Sequence, residues 1–325
     1  MPRDEEIPIL PADGSEPEPI PEQVPTRQGP SPRQTLSYLR SLFQAYGLEL
    51  KSKLGQNYLI DLNLIDLLVR TSEVGPEDAV LEVGTGTGSL TARLADHTGA
   101  IVTIEIDRTF QPIARHVVGE RPNVTFLLGD CLESKNRLNP DLLAAWEAAF
   151  ARHNCTRRKL VANLPYVIAT PLVSNLLVSG IEIERMVVMV QWEIGERMRA
   201  SPGTKDYNAL SVLVQSVADV ELVRKVAPSN FFPRPKVESA IMLIRPNAEK
   251  RAKVGDVKRF RGFLRDLYVH RRKNLRQGLT GWPTGRKPKE EVDAKLKELG
   301  IDGAVRAEAL DVEQHLRLAA AFGDS

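Results

Sequence analysis

Polar groups suited to ligand recognition stand at the carboxyl ends of four apolar runs in the first half of the chain. The runs cover residues 79–83, 100–104, 124–128 and 160–162. The groups that close or follow them are the segment 82–88, Glu105, Asp130 and Asn163. Carboxylate and amide oxygens accept hydrogen bonds from hydroxyl and amino groups. The series is therefore typical of a site that recognises a nucleoside-like ligand.

The segment 82–88 reads Glu-Val-Gly-Thr-Gly-Thr-Gly and leads into a helix that we expect to start near Ser89. Glycines at alternate positions allow a tight turn and let a ligand approach the backbone, whereas a plain strand-to-helix turn needs fewer of them. A dinucleotide site would have G-x-G-x-x-G around a pyrophosphate. Here the spacing is G-x-G-x-G, and the acid Glu82 just before it disfavours a phosphate. The loop therefore predicts a cationic or hydroxyl-bearing ligand.

Two further acids extend the description of this ligand. Glu105 is placed to accept hydrogen bonds from ribose hydroxyls, and Asp130 can accept from the exocyclic amine of adenine. With the glycine loop they predict a nucleoside that carries no phosphate. S-adenosylmethionine fits that description.

The tetrapeptide Asn163-Leu164-Pro165-Tyr166 is the candidate catalytic motif. The lone pair of an adenine or amide nitrogen is delocalised, so methyl transfer to it requires orientation. An Asn side-chain oxygen and a nearby backbone carbonyl can accept from the NH₂ group and stabilise the charge that develops on nitrogen. The Tyr ring can stack on the base. In isolation the tetrapeptide would indicate an ordinary Asn-Pro turn; after the loop described above, the catalytic interpretation is favoured.

The alternation of apolar runs with helical stretches predicts the scaffold. It is typical of a parallel, doubly wound α/β sheet whose ligand lies beyond the carboxyl ends of the strands. Runs 186–190 and 240–244 extend the sheet, and charged helical segments replace the strand pattern after Pro246. We expect a Rossmann-like S-adenosylmethionine-dependent methyltransferase domain over 36–246 and a smaller helical domain over 247–325.

A near balance of 44 Lys and Arg against 42 Asp and Glu conceals two opposite segments. Residues 1–30 hold 7 acids, 2 basic residues and 8 of the 22 prolines, which predicts a disordered acidic tail over 1–35. Residues 251–290 hold 13 basic residues against 3 acids. Their densest part, 270–276, indicates a phosphate-rich partner, although a charge run is more commonly a solvated helical face.

Composition excludes several other classes. Two cysteines, Cys131 and Cys155, are too few for a disulfide scaffold, and the five histidines lack the spacing of metal ligands. No apolar run approaches membrane-spanning length. We expect a cytoplasmic, monomeric protein with no metal and no membrane partner.

With these motifs in order, the chain resembles the KsgA/RsmA family of ribosomal RNA adenine dimethyltransferases over roughly residues 36–320. Residues 54–61 look like the N-terminal cofactor motif of that family. Its successive methyltransferase motifs are matched by 81–91, 104–107, 129–130 and 163–166. Further family segments are matched by 191–197, 202–207, 228–237 and 272–276.

The resemblance implies a reaction and a role for individual residues. The reaction would be N6,N6-dimethylation of two adjacent adenines in the 3′-terminal hairpin loop of 16S rRNA, within an immature small ribosomal subunit. Cofactor contacts would come from Asn57, Leu59, Gly84, Glu105, Asp130 and Asn163. Asn163, Leu164, Pro165 and Tyr166 would be catalytic, with Tyr166 stacking on the target. RNA contacts would come from Phe231, Phe232, Arg271, Arg272, Lys273 and Arg276. Either Phe could close on the flipped adenine, although adjacent aromatics are more often partly core.

Three features depart from the family pattern. Thr85 stands where proline is common, a change that should leave the loop contacts intact. About ten extra residues lie in 134–159, where a helix-like stretch at 142–146 suggests a surface insertion near the RNA side. The acidic tail is also additional, and we expect it to be regulatory or inert because it would repel RNA.

Other functions compete with this one. A related family methylates large-subunit 23S rRNA and confers macrolide resistance. The Asn-Leu-Pro-Tyr sequence, the following Thr170-Pro171-Leu172 and the earlier Leu59-Ile60-Asp61 favour the small-subunit enzyme. A non-catalytic assembly or transcription factor could keep the fold; the intact acidic positions argue against it. Protein glutamine methyltransferases share an Asn-Pro-Pro-Tyr logic, but the basic segment disfavours them.

Overall fold

The computed structural model describes residues 36–47, 57–282 and 287–323. Their strands are β1 (Tyr58–Leu59), β2 (Asp78–Val83), β3 (Ala100–Glu105), β4 (Val124–Leu128), β5 (Leu132–Ser134), β6 (Arg137–Leu138), β7 (Arg157–Asn163), β8 (Arg185–Gln191), β9 (Ala218–Val226), β10 (Phe231–Phe232) and β11 (Ser239–Pro246). The predicted tail at 1–35 and the start of the motif at 54–61 lie outside the described residues.

The helices of the described residues fall between the strands and then follow them. They are α1 (Leu36–Ala45), α2 (Leu62–Ser72), α3 (Ser89–Ala95), α4 (Gln111–Val118), α5 (Pro140–Arg152), α6 (Ala169–Val178), α7 (Trp192–Arg199), α8 (Ala209–Val217), α9 (Ala248–Val254), α10 (Val257–Val269), α11 (Leu275–Thr280), α12 (Lys289–Glu298) and α13 (Val312–Phe322). Side-chain caps define several of their starts: Asp61 accepts from the Asn63 N–H before α2, and Asp311 forms a capping box with Gln314 before α13.

A seven-stranded sheet in the order β4-β3-β2-β7-β8-β11-β9 forms the centre of the molecule. Strands β4, β3, β2, β7 and β8 are parallel, as predicted. The prediction of a parallel sheet is wrong at β11, which is antiparallel to both β8 and β9. The sequence pattern missed β9 because it is an edge strand with one solvated flank, so charged residues such as Glu221, Arg224 and Lys225 interrupt its apolar pattern.

The strands bury both faces, with the period of two that a sheet requires. In β8, Met186, Val188 and Val190 pack into the apolar cluster on one face, while Val187 and Met189 pack into the cluster on the other. Helices α2 and α3 contribute to the second cluster, and α5, α6 and α8 contribute to the first. The sheet is therefore the middle layer of three, which explains its long apolar runs.

The predicted surface insertion near 142–146 is wrong, because this stretch belongs to the crossover helix α5 between β4 and β7. Trp146 is 1 % exposed, and its indole N–H donates to the carbonyl of Ala79 at 3.1 Å. Leu142, Trp146 and Ala149 form one apolar stripe on the helix, and that stripe packs on the sheet. The β5–β6 hairpin, at the start of the extra sequence, is largely exposed.

After Pro246 the described chain is helical. Phe260, Leu264 and Leu267 of α10 belong to the same apolar cluster as the first face of the sheet. A separate domain from residue 247 therefore stays a prediction. Among the described residues, no helix has both the length and the apolar character needed to cross a bilayer.

Candidate active site

A cavity of about 230 Å³ lies beyond the carboxyl ends of the parallel strands. It collects all the residues predicted for cofactor binding and catalysis. These are Asn57, Leu59, Gly84, Glu105, Asp130, Asn163, Leu164, Pro165 and Tyr166. Because parallel strands carry their carboxyl ends to one side of a sheet, residues up to 109 positions apart in the chain meet there.

The glycine loop after β2 needs glycine for two reasons. Gly84 has φ +85° and Gly86 has φ +53°, which are left-handed conformations that a side chain would strain. A Cβ at Gly84 would also lie 3.0 Å from Cδ of Pro165, and one at Gly86 would lie 3.0 Å from the Tyr58 ring. The loop is thus packed between the catalytic turn and β1, and it forms one wall of the cavity.

Glu82 is a buried acid in the floor of this loop. It is 1 % exposed, and the Thr91 hydroxyl donates to its Oε2 at 2.5 Å. Burial raises the pKa of Glu82 to about 7. Thr85, the departure from the family pattern, shares a hydrogen bond of 2.6 Å with the hydroxyl of Thr103 and so anchors the loop to β3.

Glu105, at the end of β3, organises the loop as well as facing the cavity. Its Oε2 accepts from the Gly86 N–H at 2.9 Å, and its Oε1 accepts from the N–H groups of Ile106 and Asp107 at 3.0 Å each. Burial raises the pKa of Glu105, and these three hydrogen bonds oppose that rise. A carboxylate has about four acceptor sites, so capacity remains for a ligand hydroxyl.

The residues after β4 form the next part of the wall. Asp130 is exposed, and its Oδ1 accepts from the Leu132 N–H at 2.9 Å. Gly129 has open space where a Cβ would stand, so a ligand can approach the backbone there. Cys131 is buried, and burial together with the neighbouring Asp130 raises the pKa of its thiol to about 12. The thiol is therefore protonated near neutral pH and is a poor nucleophile.

Asn163 ends β7 with its amide group oriented. Its Nδ2 donates to the carbonyl oxygen of Asn57 at 3.1 Å. Within the described chain, the Oδ1 atom of Asn163 has no hydrogen-bond partner. The next residue, Leu164, is buried and donates its N–H to the carbonyl of Met189 at 3.1 Å. The side chain therefore lines the cavity with a fixed acceptor oxygen.

Tyr166 is held by the antiparallel part of the sheet. Its hydroxyl shares a hydrogen bond of 2.8 Å with Ser239, the first residue of β11. Burial raises the pKa of this hydroxyl, so it stays neutral at physiological pH. Val167, which follows, lines the cavity with a side chain that is 70 % exposed.

Several lining residues were not predicted from the sequence as site residues, among them Tyr58, Ile106, Cys131 and Val167. Tyr58 could have been found, since it lies inside the motif at 54–61. Ile106 and Val167 directly follow predicted site residues, and an apolar residue at such a position is a usable signal. Cys131 carried none.

The residues predicted to contact RNA lie outside the cavity lining. Phe231 is 3 % exposed and belongs to the core, while the half-buried Phe232 stacks on Phe43 with 6.2 Å between ring centroids. Neither contributes to the cavity lining in this conformation. Arg271, Arg272 and Lys273 are exposed between α10 and α11, and Arg276 on α11 pairs with Asp293.

The charges around the cavity have one sign. Its lining contains Glu82, Glu105 and Asp130, and among the described lining residues there is no Lys, Arg or His. Such a cavity repels a phosphate and favours a cation or a group with hydroxyls and amines. The donor set therefore fits S-adenosylmethionine, whose sulfur is cationic and whose nucleoside carries no phosphate. Across the described residues, no cluster of metal-binding side chains was found.

The sheet, the helical layers and the acidic cavity define a Rossmann-like methyltransferase. Comparison with known proteins makes the class more specific. Residues 47–324 match the family model described as ribosomal RNA adenine dimethylase. The chain therefore belongs to the ribosomal RNA adenine dimethylase family.

Individual relatives agree with this assignment. A ribosomal RNA small subunit methyltransferase A from Halothermothrix orenii is 36 % identical, over 84 % of this chain and 88 % of the relative. A protein of the same name from Ligilactobacillus salivarius is 38 % identical, over 87 % of this chain and 93 % of the relative.

Two solved structures share the fold. The 23S rRNA methyltransferase ErmE is 27 % identical, with a TM-score of 0.57 over 82 % of this chain and 99 % of that one. A dimethyladenosine transferase from Plasmodium falciparum superposes with a TM-score of 0.65 at 24 % identity, over 81 % and 96 %.

Proposed function

We propose that this chain uses S-adenosylmethionine to dimethylate N6 of two adjacent adenines in the 3′-terminal hairpin loop of 16S rRNA. It acts as a cytoplasmic monomer on an immature small subunit. The observation that carries the proposal is the oriented amide of Asn163 in an acidic, phosphate-repelling cavity. The small-subunit target is supported by identities of 36 % and 38 % to enzymes named for it, against 27 % to the 23S methyltransferase.

The cofactor would supply an electrophilic methyl group on a cationic sulfur. Glu105 would accept from its ribose hydroxyls, and Asp130 would accept from its adenine amine. The backbone at Gly84 and the carbonyl side of Asn57 would border its methionine end. The acids also place negative potential around the sulfonium, which favours its binding.

The target nitrogen is held by acceptors of the chain. Oδ1 of Asn163 would accept one N6 hydrogen, and a backbone carbonyl of the same turn would accept the other. Both hydrogen bonds draw electron density toward nitrogen as it attacks. Tyr166, fixed through Ser239, would stack on the base. After the first transfer one N6 hydrogen remains, so the second methyl group depends on a single acceptor.

The RNA outside the cavity would be held by charge. Arg271, Arg272 and Lys273 are exposed in one turn, and the described residues offer them no ion-pair partner. Exposed cations of this kind bind phosphate oxygens and release counterions, so affinity should fall as salt rises.

Transfer of labelled methyl groups to hypomethylated small subunits tests the proposal, with primer extension across the 3′ region to locate them. We expect two adjacent dimethylated adenines with wild-type protein, and we expect Asn163→Ala to form them far more slowly. Large subunits serve as the matched control substrate. Labelling of large subunits alone would favour the macrolide-resistance reaction, and labelling of neither would favour a non-catalytic assembly factor.

A further inference from the structure

A second group of cations lies outside the basic run at residues 251–290. Arg40 of α1 places its guanidinium carbon 5.6 Å from the centroid of the Phe232 ring. Arg234 and Lys236 follow that ring by two and four residues. All three cations are exposed, and within the described chain none has an ion-pair partner. We call Arg40, Phe232, Arg234 and Lys236 the N-terminal cationic surface.

Several contacts hold Phe232 of this surface in place. Phe232 stacks on Phe43 of α1 at an interplanar angle of 23°, and it pairs with Tyr58 in the β1–β10 ladder. The side of α1 that carries Phe43 also buries Leu39 and Leu42. Because Phe232 and α1 are held by these contacts, the backbone that carries the three cations has a fixed position.

The surface is connected to the cofactor wall and to the catalytic wall of the cavity. Tyr58, the ladder partner of Phe232, lines the cavity and packs on Gly86. In the other direction, the chain after Lys236 enters β11 at Ser239, which holds the Tyr166 hydroxyl. The surface therefore adjoins the place where the target base is proposed to enter.

Among the described residues, the charge of this surface is not neutralised by an ion pair. Glu238 is the acid next along the chain, and it pairs with Lys225 at 2.7 Å. An arginine beside a half-exposed aromatic ring, with further cations in the next few residues, matches how proteins hold single-stranded RNA. Cations contact the phosphates. The Phe232 ring, which stacks on Phe43, supports the Arg40 guanidinium.

We propose that the N-terminal cationic surface binds the phosphates of single-stranded nucleotides that flank the target adenines. The inference rests on the proposed function, since it assigns this surface to the same substrate. RNA would then contact two surfaces of the protein, the 271–273 turn and, independently, the N-terminal cationic surface. Its role is to position the RNA strand, so it should act on RNA affinity and leave cofactor affinity unchanged.

The test is the triple variant Arg40→Gln, Arg234→Gln and Lys236→Gln in the full chain. The matched control is Arg70→Gln, because Arg70 is an exposed arginine on α2 outside the surface. We expect the triple variant to raise KM for small subunits about tenfold at 0.1 M salt. The slope of log affinity against log salt should fall by about 2, which is three contacts at about 0.7 each for a single strand. The maximal rate and S-adenosylmethionine affinity should stay within twofold, and Arg40→Lys should behave as wild type.

Three results would overturn the inference. An unchanged salt slope would make the surface a solvated face, and a loss of cofactor affinity would make Arg40 a structural support for α1. A rise in RNA affinity would mean that the surface holds the acidic residues 1–35. Binding of a labelled single-stranded RNA oligonucleotide is measured in parallel. If wild-type protein methylates no small subunits, the proposed function fails, while the oligonucleotide measurement still decides this inference.

Discussion

Strand β2 carries a buried acid near each end, and the two acids have different partners. At its amino end, Asp78 is fully buried, with Oδ2 at 3.0 Å from the Lys159 ammonium and Oδ1 at 2.7 Å from Nε of Arg157. At its carboxyl end, Glu82 is equally buried, but the side-chain hydrogen bond that it receives within the described residues comes from the neutral hydroxyl of Thr91. Among the described residues, Asp78 is therefore paired with cations, whereas Glu82 has no cationic partner.

This difference indicates that Asp78 serves the stability of the fold and Glu82 serves the ligand site. A buried acid is expensive unless its charge is compensated, and the pairing of Asp78 with Lys159 provides that compensation inside the fold. Glu82 lacks a cation, and the cavity next to it has no basic lining residue. Under the proposed function, the sulfonium of the cofactor would supply the compensating positive charge at this end. The amino end should therefore control stability, and the carboxyl end should control binding and catalysis.

The largest effect is expected at the amino end. Asp78→Asn removes the nearer counter-charge of Lys159, which is 1 % exposed, and leaves only the more distant Glu184 carboxylate at 3.9 Å among the described residues. Removing one partner of a buried pair typically costs about 3–5 kcal/mol, so the free energy of unfolding should fall by that amount. Urea unfolding at pH 7 measures the change, and methyl transfer per folded molecule should be unaffected.

The double variant Asp78→Leu with Lys159→Met is the control for this prediction. It removes both buried charges, and Arg157 keeps Glu184 as a partner at 3.3 Å, so the double variant should recover most of the lost stability. A double variant as unstable as Asp78→Asn would show that the pair itself is not the cause.

The next effect concerns catalysis at the carboxyl end. Asn163→Ala removes the oriented acceptor oxygen, so we expect methyl transfer to slow by roughly 10²-fold, about 3 kcal/mol of barrier. RNA affinity and the free energy of unfolding should change little, and the second methyl transfer should suffer at least as much as the first. Single-turnover transfer at saturating cofactor measures the rates. A rate within a few-fold of wild type would contradict the catalytic role.

Cofactor affinity gives the third prediction. Glu105→Ala should weaken S-adenosylmethionine binding by about 1–3 kcal/mol through lost ribose hydrogen bonds. Because Glu105 also accepts from the Gly86 N–H, Glu105→Gln should be milder, since it keeps one acceptor oxygen. Calorimetry on folded protein provides the affinities, with Glu133→Gln in the exposed hairpin as the control. If Glu105→Ala binds as tightly as wild type, Glu105 does not contact the cofactor.

The sequence predicts this carboxyl end well for a geometric reason. Residues that close parallel strands must meet, so Glu105, Asp130 and Asn163 could be placed together from their positions alone. The glycine loop was predictable because its φ values exclude other residues. Polar residues and glycines of this kind are local features of strand ends.

What the pattern could not predict depends on contacts between distant segments. The hydrogen bond from Asn163 to Asn57 joins residues 106 positions apart, and that between Tyr166 and Ser239 requires the antiparallel strand β11. Burial of Trp146 depends on which face of α5 meets the sheet. No periodicity within a single segment contains that information.

The smallest expected effect is a pH dependence at Glu82, and it tests the comparison most directly. Burial raises its pKa from 4.5 to about 7, so the folded, ligand-free protein binds this proton more tightly than the unfolded chain does. Its contribution to stability is therefore fully present below about pH 4.5 and is lost as pH rises through about 7. A sulfonium cation favours ionised Glu82 and does not titrate. Cofactor affinity should consequently rise between pH 6 and pH 8, by less than about tenfold. Glu82→Gln should flatten both profiles, as followed by calorimetry and by urea unfolding. A cofactor affinity that falls with pH in wild type, or that rises as much in Glu82→Gln as in wild type, would contradict this prediction. Glu82 would then have a structural role only.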